Sequence, residues 1–330
     1  MTAARRSVLA LDIGGTKLAV AVVTDDGRTH ELIVEPTRRE EGPAAVIARL
    51  FEMGRRASAG ALTDGLPPVA AVGISCGGPL NAMTGVLESP LHLPGWIDVP
   101  IVALAEREFG LPAVLENDAT AAALGEHRYG AGVGTSTMLY LTISTGIGGG
   151  AIVNGRLHRG AAGNGGEYGH VMVRPGGRLC LCGRNGCLEA YASGSSIALR
   201  ARAALAAPGS RSVLSTRPVV RAEDVSHAAE AGDALARRIW DESMELLALA
   251  ITDLVNIFEP ELVVLGGGVT RSGSALLDPV REAVFRDAMP PAAKAVRIEL
   301  AGLGDAVCVV GAAGLAFDRI DDSPLEAAVA

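Results

Sequence analysis

Two stretches of this chain, starting about 130 residues apart, repeat one pattern. Residues 8–23 read VLALDIGGTKLAVAVV, and residues 138–153 read MLYLTISTGIGGGAIV. Each is an apolar run of strand length, a turn of Gly with Thr or Ser, and a returning apolar run. One such pair is an ordinary hairpin. Two of them predict two related α/β halves, each offering a turn whose backbone N–H groups face a phosphate. With 330 residues the chain is long enough for two domains.

The segments between fit the same plan. Asp26-Gly27 turns into a third strand at residues 29–34. Residues 43–57 have helical spacing and residues 69–74 read as a strand. Residues 101–109 read as a helix stopped by Gly110. Residues 113–115 form a strand leading to Glu116-Asn117-Asp118, and residues 119–129 a helix with Asp118 at its N-terminus. In the second half, residues 138–143 are a strand, 144–150 a Gly-rich turn and 151–153 the returning strand. Asn154-Gly155 is a hairpin signal. Beyond Glu189 the chain reads mostly as helix, including residues 244–258. A strand at 261–265 ends in Gly266-Gly267-Gly268. A last strand at 296–300 and a last helix at 309–320 follow, and residues 206–218 are the expected exposed loop.

Composition narrows the function classes. The net charge is −8 and no basic stripe is visible, which argues against a nucleic-acid partner. No run reaches the ~18 apolar residues of a membrane span. Arg5-Arg6 and the apolar residues 7–11 faintly resemble an export signal, but Asp12 interrupts the run and no cleavage site follows. The expected compartment is the cytoplasm, with no membrane partner.

The first turn is Asp12-Ile13-Gly14-Gly15-Thr16-Lys17. Its glycines let backbone amides approach phosphate oxygens, Thr16 adds a hydroxyl donor, and Asp12 stands where a carboxylate holds Mg²⁺ through water. An ordinary hairpin turn is the plain alternative. The second turn, Ser144-Thr145-Gly146-Ile147-Gly148-Gly149-Gly150, lacks the G-x-G-x-x-G spacing of a dinucleotide fingerprint and leads into a strand, so a second phosphate turn fits better. Asp118, at a strand-to-helix junction, has the chemistry of a base for phosphoryl transfer to an alcohol. On local grounds it equally reads as a helix N-cap, and Asn117 as a sugar ligand or a cap.

His170, Cys180, Cys182 and Cys187 have the spacing H-x₉-C-x-C-x₄-C. Four ligands of this kind suit tetrahedral Zn²⁺, and with no open position the zinc is structural. A disulfide or three free thiols are the alternatives. Cys76 and Cys308 read as buried small apolar residues. Glu167 by itself reads as a surface residue.

Taken in order, these motifs resemble the ROK family of repressors and sugar kinases, and within it the glucokinase-like enzymes. Residues 12–17 match DxGGTK, residues 116–119 ENDA, residues 145–150 TGIGGG, residues 166–170 GExGH, and residues 180–189 CxCGxxGCxE. Residues 264–269 match the Gly-rich adenosine segment. The resemblance implies a two-domain actin-like (ribonuclease-H-like) ATPase fold with ATP and sugar in the interdomain cleft. Residues 1–118 plus about 305–330 form one domain, and residues 119–304 the other, carrying the zinc loop.

It further implies an ATP- and Mg²⁺-dependent hexose kinase, most readily glucose to glucose 6-phosphate, with Asp118 as base. Gly78, Asn117, Glu167, His170 and Glu189 would hold the sugar, His170 with one ring nitrogen on zinc and the other on the sugar. Asp12, Gly14, Gly15, Thr16, Lys17, Thr145, Gly146, Gly266, Gly267 and Gly268 would hold the nucleotide. A homodimer or higher homo-oligomer is expected. N-acetylmannosamine, N-acetylglucosamine, fructose and allose are the alternative sugars. A sugar-responsive regulator is the alternative function, disfavoured because only 11 residues precede Asp12. One departure stands out: His92 occupies a place before Leu93-Pro94-Gly95-Trp96 where many glucokinase-like relatives carry Asn. It reads either as sugar-pocket wall or as a surface histidine.

Overall fold

The computed structural model describes residues 6–321. Arg5 of the export-like start, and residues 1–5 and 322–330 of the expected first domain, lie outside the described residues. The chain divides into two compact units, residues 1–134, 159–163 and 302–330 in one and residues 135–158 and 164–301 in the other.

The first unit is built on strands β1 (Ser7–Ile13), β2 (Lys17–Thr24), β3 (Thr29–Pro36) and β4 (Val69–Cys76), a small hairpin of β5 (Leu80–Asn81) and β6 (Val86–Leu87), and β7 (Ala113–Asn117). Its main sheet has the order β3-β2-β1-β4-β7. The β1–β2 and β2–β3 pairs are antiparallel, while β4 and β7 run parallel to β1. The second unit repeats this with β8 (Met138–Ile143), β9 (Ile147–Val153), β10 (Arg156–His158), β11 (Leu262–Gly266) and β12 (Arg297–Leu300), in the order β10-β9-β8-β11-β12. Again three antiparallel strands are followed by two parallel ones. The repeat read from the two turns is therefore a repeat of the whole sheet, and the ribonuclease-H-like expectation is met in both units.

Hydrophobic alternation explains how each sheet is covered. In β1, Leu9, Leu11 and Ile13 point to one face and join a core with α1 (Pro43–Thr63) and α2 (Ile101–Phe109). Val8 and Ala10 point to the other face, against Val309, Ala312, Ala313 and Ala316 of the C-terminal helix, Val307–Asp321. That helix lies close because Gly73 on β4 has no side chain: a Cβ there would stand 1.9 Å from the Ala312 carbonyl oxygen. The same helix packs against α3 (Asp118–Tyr129), so the helix after Asp118 belongs to the first unit. The end of α3 is tied down by Glu126, fully buried, whose carboxylate accepts the N–H groups of Ala131, Gly302 and Leu303.

The second core is larger and mostly aliphatic. It is filled by α4 (Glu189–Ala192), α5 (Gly194–Leu205), α6 (Ala222–Glu230) and the long α7 (Ala234–Phe258), which starts ten residues earlier than its spacing suggested. Two expectations shift. Helix α1 runs on to Thr63. The Gly-rich turn shrinks to Ser144-Thr145-Gly146, because Gly148, Gly149 and Gly150 pair with Thr142, Leu141 and Tyr140 as part of β9. No described helix is long and apolar enough to cross a membrane.

Candidate functional site

In the first unit the strand ends of β1, β4 and β7 bring Asp12, Ser75 and Asp118 together. The fully buried Ser75 hydroxyl donates to Asp12 Oδ1 at 2.7 Å. Burial pushes the Asp12 carboxyl up to about 7; the Asp118 charge adds to this and the Ser75 hydrogen bond opposes it. Burial also raises Asp118, while the Ala119 N–H and the His92 charge pull it down. Asp118 does not cap its helix. Asn117 does, its side chain accepting the N–H groups of Ala119 at 3.0 Å and Thr120 at 3.3 Å. Asp118 Oδ1 takes a 2.8 Å bond from Ala119, and Oδ2 has no donor among the described residues. Gly78 stands beside this pair, a notional Cβ there falling 3.8 Å from Asn117 Nδ2.

The first turn is held by its carbonyls. The buried Thr37 donates its hydroxyl to Gly14 O at 2.6 Å and its N–H to Thr16 O at 3.0 Å, and Gly14 N–H closes on Lys17 O. The amides of Gly15 and Thr16 are left without a protein acceptor among the described residues. Thr16 and Lys17 are exposed. His92 packs over the turn, where a Cβ on Gly15 would stand 2.6 Å from its own Cβ and one on Gly77 2.3 Å from its Nε2. His92 is exposed, as the surface reading has it, and it also packs against the turn. The ring is solvent-exposed on one side but seated on two glycines, within electrostatic reach of Asp118.

In the second unit the corresponding turn is held in the same way. Gly194 and Ser195, at the N-terminus of α5, donate to the carbonyls of Ser144 at 2.7 Å and Thr145 at 3.4 Å. Ile147 N–H goes to Glu189 Oε2 at 2.8 Å, and the amides of Thr145 and Gly146 find no protein acceptor among the described residues. Gly267 at the end of β11 touches the base of the turn: a Cβ there would stand 2.5 Å from Ile143 O. Gly266 is buried and Gly268 exposed.

The middle glycine of β9, Gly149, has a packing reason. A Cβ on Gly149 would stand 2.3 Å from the Tyr168 ring, so the short 3₁₀ turn Tyr168–His170 lies directly on the strand. That turn aims His170 at the cysteines. His170 Nδ1 is 3.7 Å from Cys180 Sγ, Cys182 Sγ is 3.7 Å from Cys187 Sγ, and all four ligand atoms lie within 4.8 Å of one another. A tetrahedral ion with bonds of about 2.3 Å to sulfur and 2.0 Å to nitrogen sets its ligands about 3.5–3.8 Å apart, so the cluster fits. The disulfide alternative falls, since all five cysteines are free and an S–S bond is only about 2.05 Å long.

Burial pushes the Cys180 thiol up to about 12 and raises Cys187, while the exposed Cys182 is lowered, chiefly by the Arg184 N–H. A bound cation would favour the thiolate form of Cys180 and Cys187 against that burial. The loop is braced by Arg178 N–H donating to Tyr191 Oη at 2.7 Å. Around it, Glu189 Oε1 lies 3.9 Å from Cys180 Sγ, and Glu167 Oε2 lies 3.7 Å from His170 Nε2. The ring thus turns Nδ1 to the cluster and Nε2 outward to Glu167.

Sequence reasoning missed Ser75 and Thr37. Their signal is a hydroxyl on an otherwise apolar strand and just past a strand end, and it becomes specific only when the partner is seen.

Residues 8–319 match the model of the ROK family. The chain is 34% identical over 316 residues to a glucokinase of Thermotoga maritima, covering 95% of this chain and 98% of that one. Among solved structures it is similar to a ROK hexokinase from Thermus thermophilus, with 37% identity, a TM-score of 0.80, and coverage of 96% of this chain and 99% of that one. It is also similar to a ROK family glucokinase from Streptomyces griseus in complex with glucose and AMPPNP, with 33% identity, a TM-score of 0.77, and coverage of 94% and 99%.

Proposed function

This chain belongs to the ROK family, and from that premise we propose that it is a sugar kinase moving the γ-phosphoryl group of ATP to a hexose hydroxyl, with glucose the first candidate. The observation that carries the reading is Asp118. Its carboxyl is raised by burial, Asn117 relieves it of capping, and one oxygen is left unbonded. That is the condition of a general base.

In the proposed reaction Asp118 accepts the proton of the sugar hydroxyl. The hydroxyl oxygen forms a bond to the γ-phosphorus as the bond from that phosphorus to the ADP oxygen breaks. Asn117, Gly78, Glu167, His170 and Glu189 orient the sugar. The free amides of Gly15, Thr16, Thr145 and Gly146 suit phosphate oxygens, and Gly266, Gly267 and Gly268 suit the rest of the nucleotide. Mg²⁺, when bound, neutralises developing phosphate charge, and Asp12 is the residue that would hold it. Zinc, when bound by His170, Cys180, Cys182 and Cys187, supplies folding free energy to the loop. His170 Nε2 then has a fixed direction, and Glu167 beside it completes a pair of sugar contacts. The proposal includes a cytoplasmic homo-oligomer with no nucleic-acid or membrane partner.

The test is an ADP-release assay with Mg·ATP on zinc-replete protein against glucose, N-acetylmannosamine, N-acetylglucosamine, fructose and allose. Turnover with glucose well above the others is expected. Preference for another sugar would redirect the substrate, and no turnover with any would count against the kinase reading in favour of a sugar-responsive regulator.

A further inference from the structure

Glu116 has no part in the chemistry proposed for its neighbours Asn117 and Asp118, yet it is an ionisable group with 0% of its surface exposed. A carboxylate in that state persists only when its oxygens are paired. Oε1 accepts the N–H of Asn117 at 3.1 Å, and Oε2 accepts Nε–H of Arg159 at 2.7 Å. The pair is lopsided: the Glu116 side chain is 1% exposed and that of Arg159 47%. The Arg159 stem therefore fills little of the core, and the effect of truncating it falls mainly on the carboxylate.

Arg159 also has a distinctive place along the chain. It opens residues 159–163, which belong to the first unit although residues 135–158 and 164–301 on either side belong to the second. Four residues past that segment comes Glu167, and then His170. We infer that Arg159 is a positioning residue for phosphoryl transfer: through Glu116 it holds the strand end that presents Asn117 and Asp118. This rests on the kinase reading above for its effect on turnover, but its effect on the Asn117 backbone does not.

Misplacing a catalytic group by about an ångström costs up to about 100-fold in rate. Arg159→Ala in the full chain is therefore expected to lower kcat about 10- to 100-fold and to raise the KM for sugar, with the KM for ATP within about 2-fold. Added ethylguanidine is expected to restore part of the loss, and Arg159→Lys to retain more activity than Arg159→Ala. Hydrogen exchange at the amides of residues 117–119 is expected to speed up in Arg159→Ala, with or without substrate.

Wild-type kcat and wild-type exchange in Arg159→Ala would overturn the inference. So would an equal loss in the ATP and sugar parameters with a lowered melting temperature and no guanidine rescue, which is the mark of general destabilisation. Should Arg159→Ala fail to fold, the neutral pair Glu116→Gln with Arg159→Gln decides. It leaves no unpaired buried charge, and normal kcat in that protein sinks the proposal. If the wild-type protein itself turns over no sugar, the kinase reading fails, and the exchange measurement alone judges whether Arg159 holds the strand end.

Discussion

The two sheets share a strand order and differ in what stands where their strands stop. At the end of β1 the first unit has Asp12; the matching position on β8 is Thr142. β7 runs out in Asn117-Asp118, whereas β12 runs out in Leu300-Ala301. Both units pin the carbonyls of their turns and leave amides for an anion, one through Thr37 and the other through the start of α5. A turn with pinned carbonyls and free amides is thus a property of the repeated topology. The buried carboxyls with raised pKa at these strand ends, Asp12 and Asp118, belong to the first unit. The units also differ in how loops beyond the sheet are held. The first uses buried carboxylates on backbone amides, Glu116 and Glu126. The second uses a metal-ready cluster, His170 with three cysteines.

The largest test of that contrast is Asp118→Asn. It should fold, bind sugar, and lose turnover by about 10²- to 10⁴-fold, the usual weight of a general base. Turnover within about tenfold of wild type would break the assignment of chemistry to the first unit. Because Asp118 is raised above an ordinary carboxyl, kcat/KM should fall on the acid side at a pH higher than an unperturbed Asp would give. His92→Gln removes the charge that lowers Asp118, so it should move that limb further up.

Next in size is metal loss. Cys182→Ser or a chelator should remove one zinc per chain, measured by elemental analysis, and loosen the second unit. Amide exchange should rise around residues 168–191 and stay low in β1 and β4. Equal loosening of both units would show that the cluster braces more than its own loop.

Stability against pH should separate Asp12 from Thr142. The Asp12 carboxyl lies at about 7 when folded against 3.8 ordinarily, so the folded state holds this proton more tightly. Its contribution therefore favours folding less as pH rises from about 4 to about 7, is fully unfavourable above that window, and vanishes below it. Ligand-free Asp12→Asn should melt several degrees above wild type at pH 8 and together with it at pH 4. Thr142→Val should show no such dependence.

The smallest expected effect is that of Thr37→Val. Losing one buried hydroxyl partner of Gly14 costs about 1–3 kcal/mol of stability. A modest rise in the KM for ATP, with kcat retained, would mark the turn as a nucleotide contact. An unchanged KM would leave Thr37 a purely structural residue.

Much of this was legible in the sequence because it is local. The two strand–turn–strand echoes, the stop of α2 at Gly110, and the H-x₉-C-x-C-x₄-C cluster each declare themselves within a few residues. What escaped depends on distant partners. Gly148, Gly149 and Gly150 look like a turn by propensity, but they are a strand, in which Gly149 is bare because the Tyr168 ring needs the space. Locally Asp118 and Asn117 both read as caps, and the structure gives the cap to Asn117. Arg159 carries no signal of its own and Ser75 only an unspecific one, since their carboxylates lie 43 and 63 positions away. Two-residue strands such as β5 and β6 are too short for any periodicity to register.

The C-terminal helix has a consequence for synthesis. The face of the first sheet formed by Val8, Ala10 and Ala71 packs against Val309, Ala312, Ala313, Ala316 and Phe317, residues the ribosome adds only after residues 135–301. Residues 135–301, by contrast, include a sheet and core of their own, complete while that face is still bare. The part of the chain made first must therefore wait, apolar face open, while its later insert matures. A nascent chain stalled before Val307 should be sensitive to protease in its first 130 or so residues, and a natural client for chaperones that shield apolar surface.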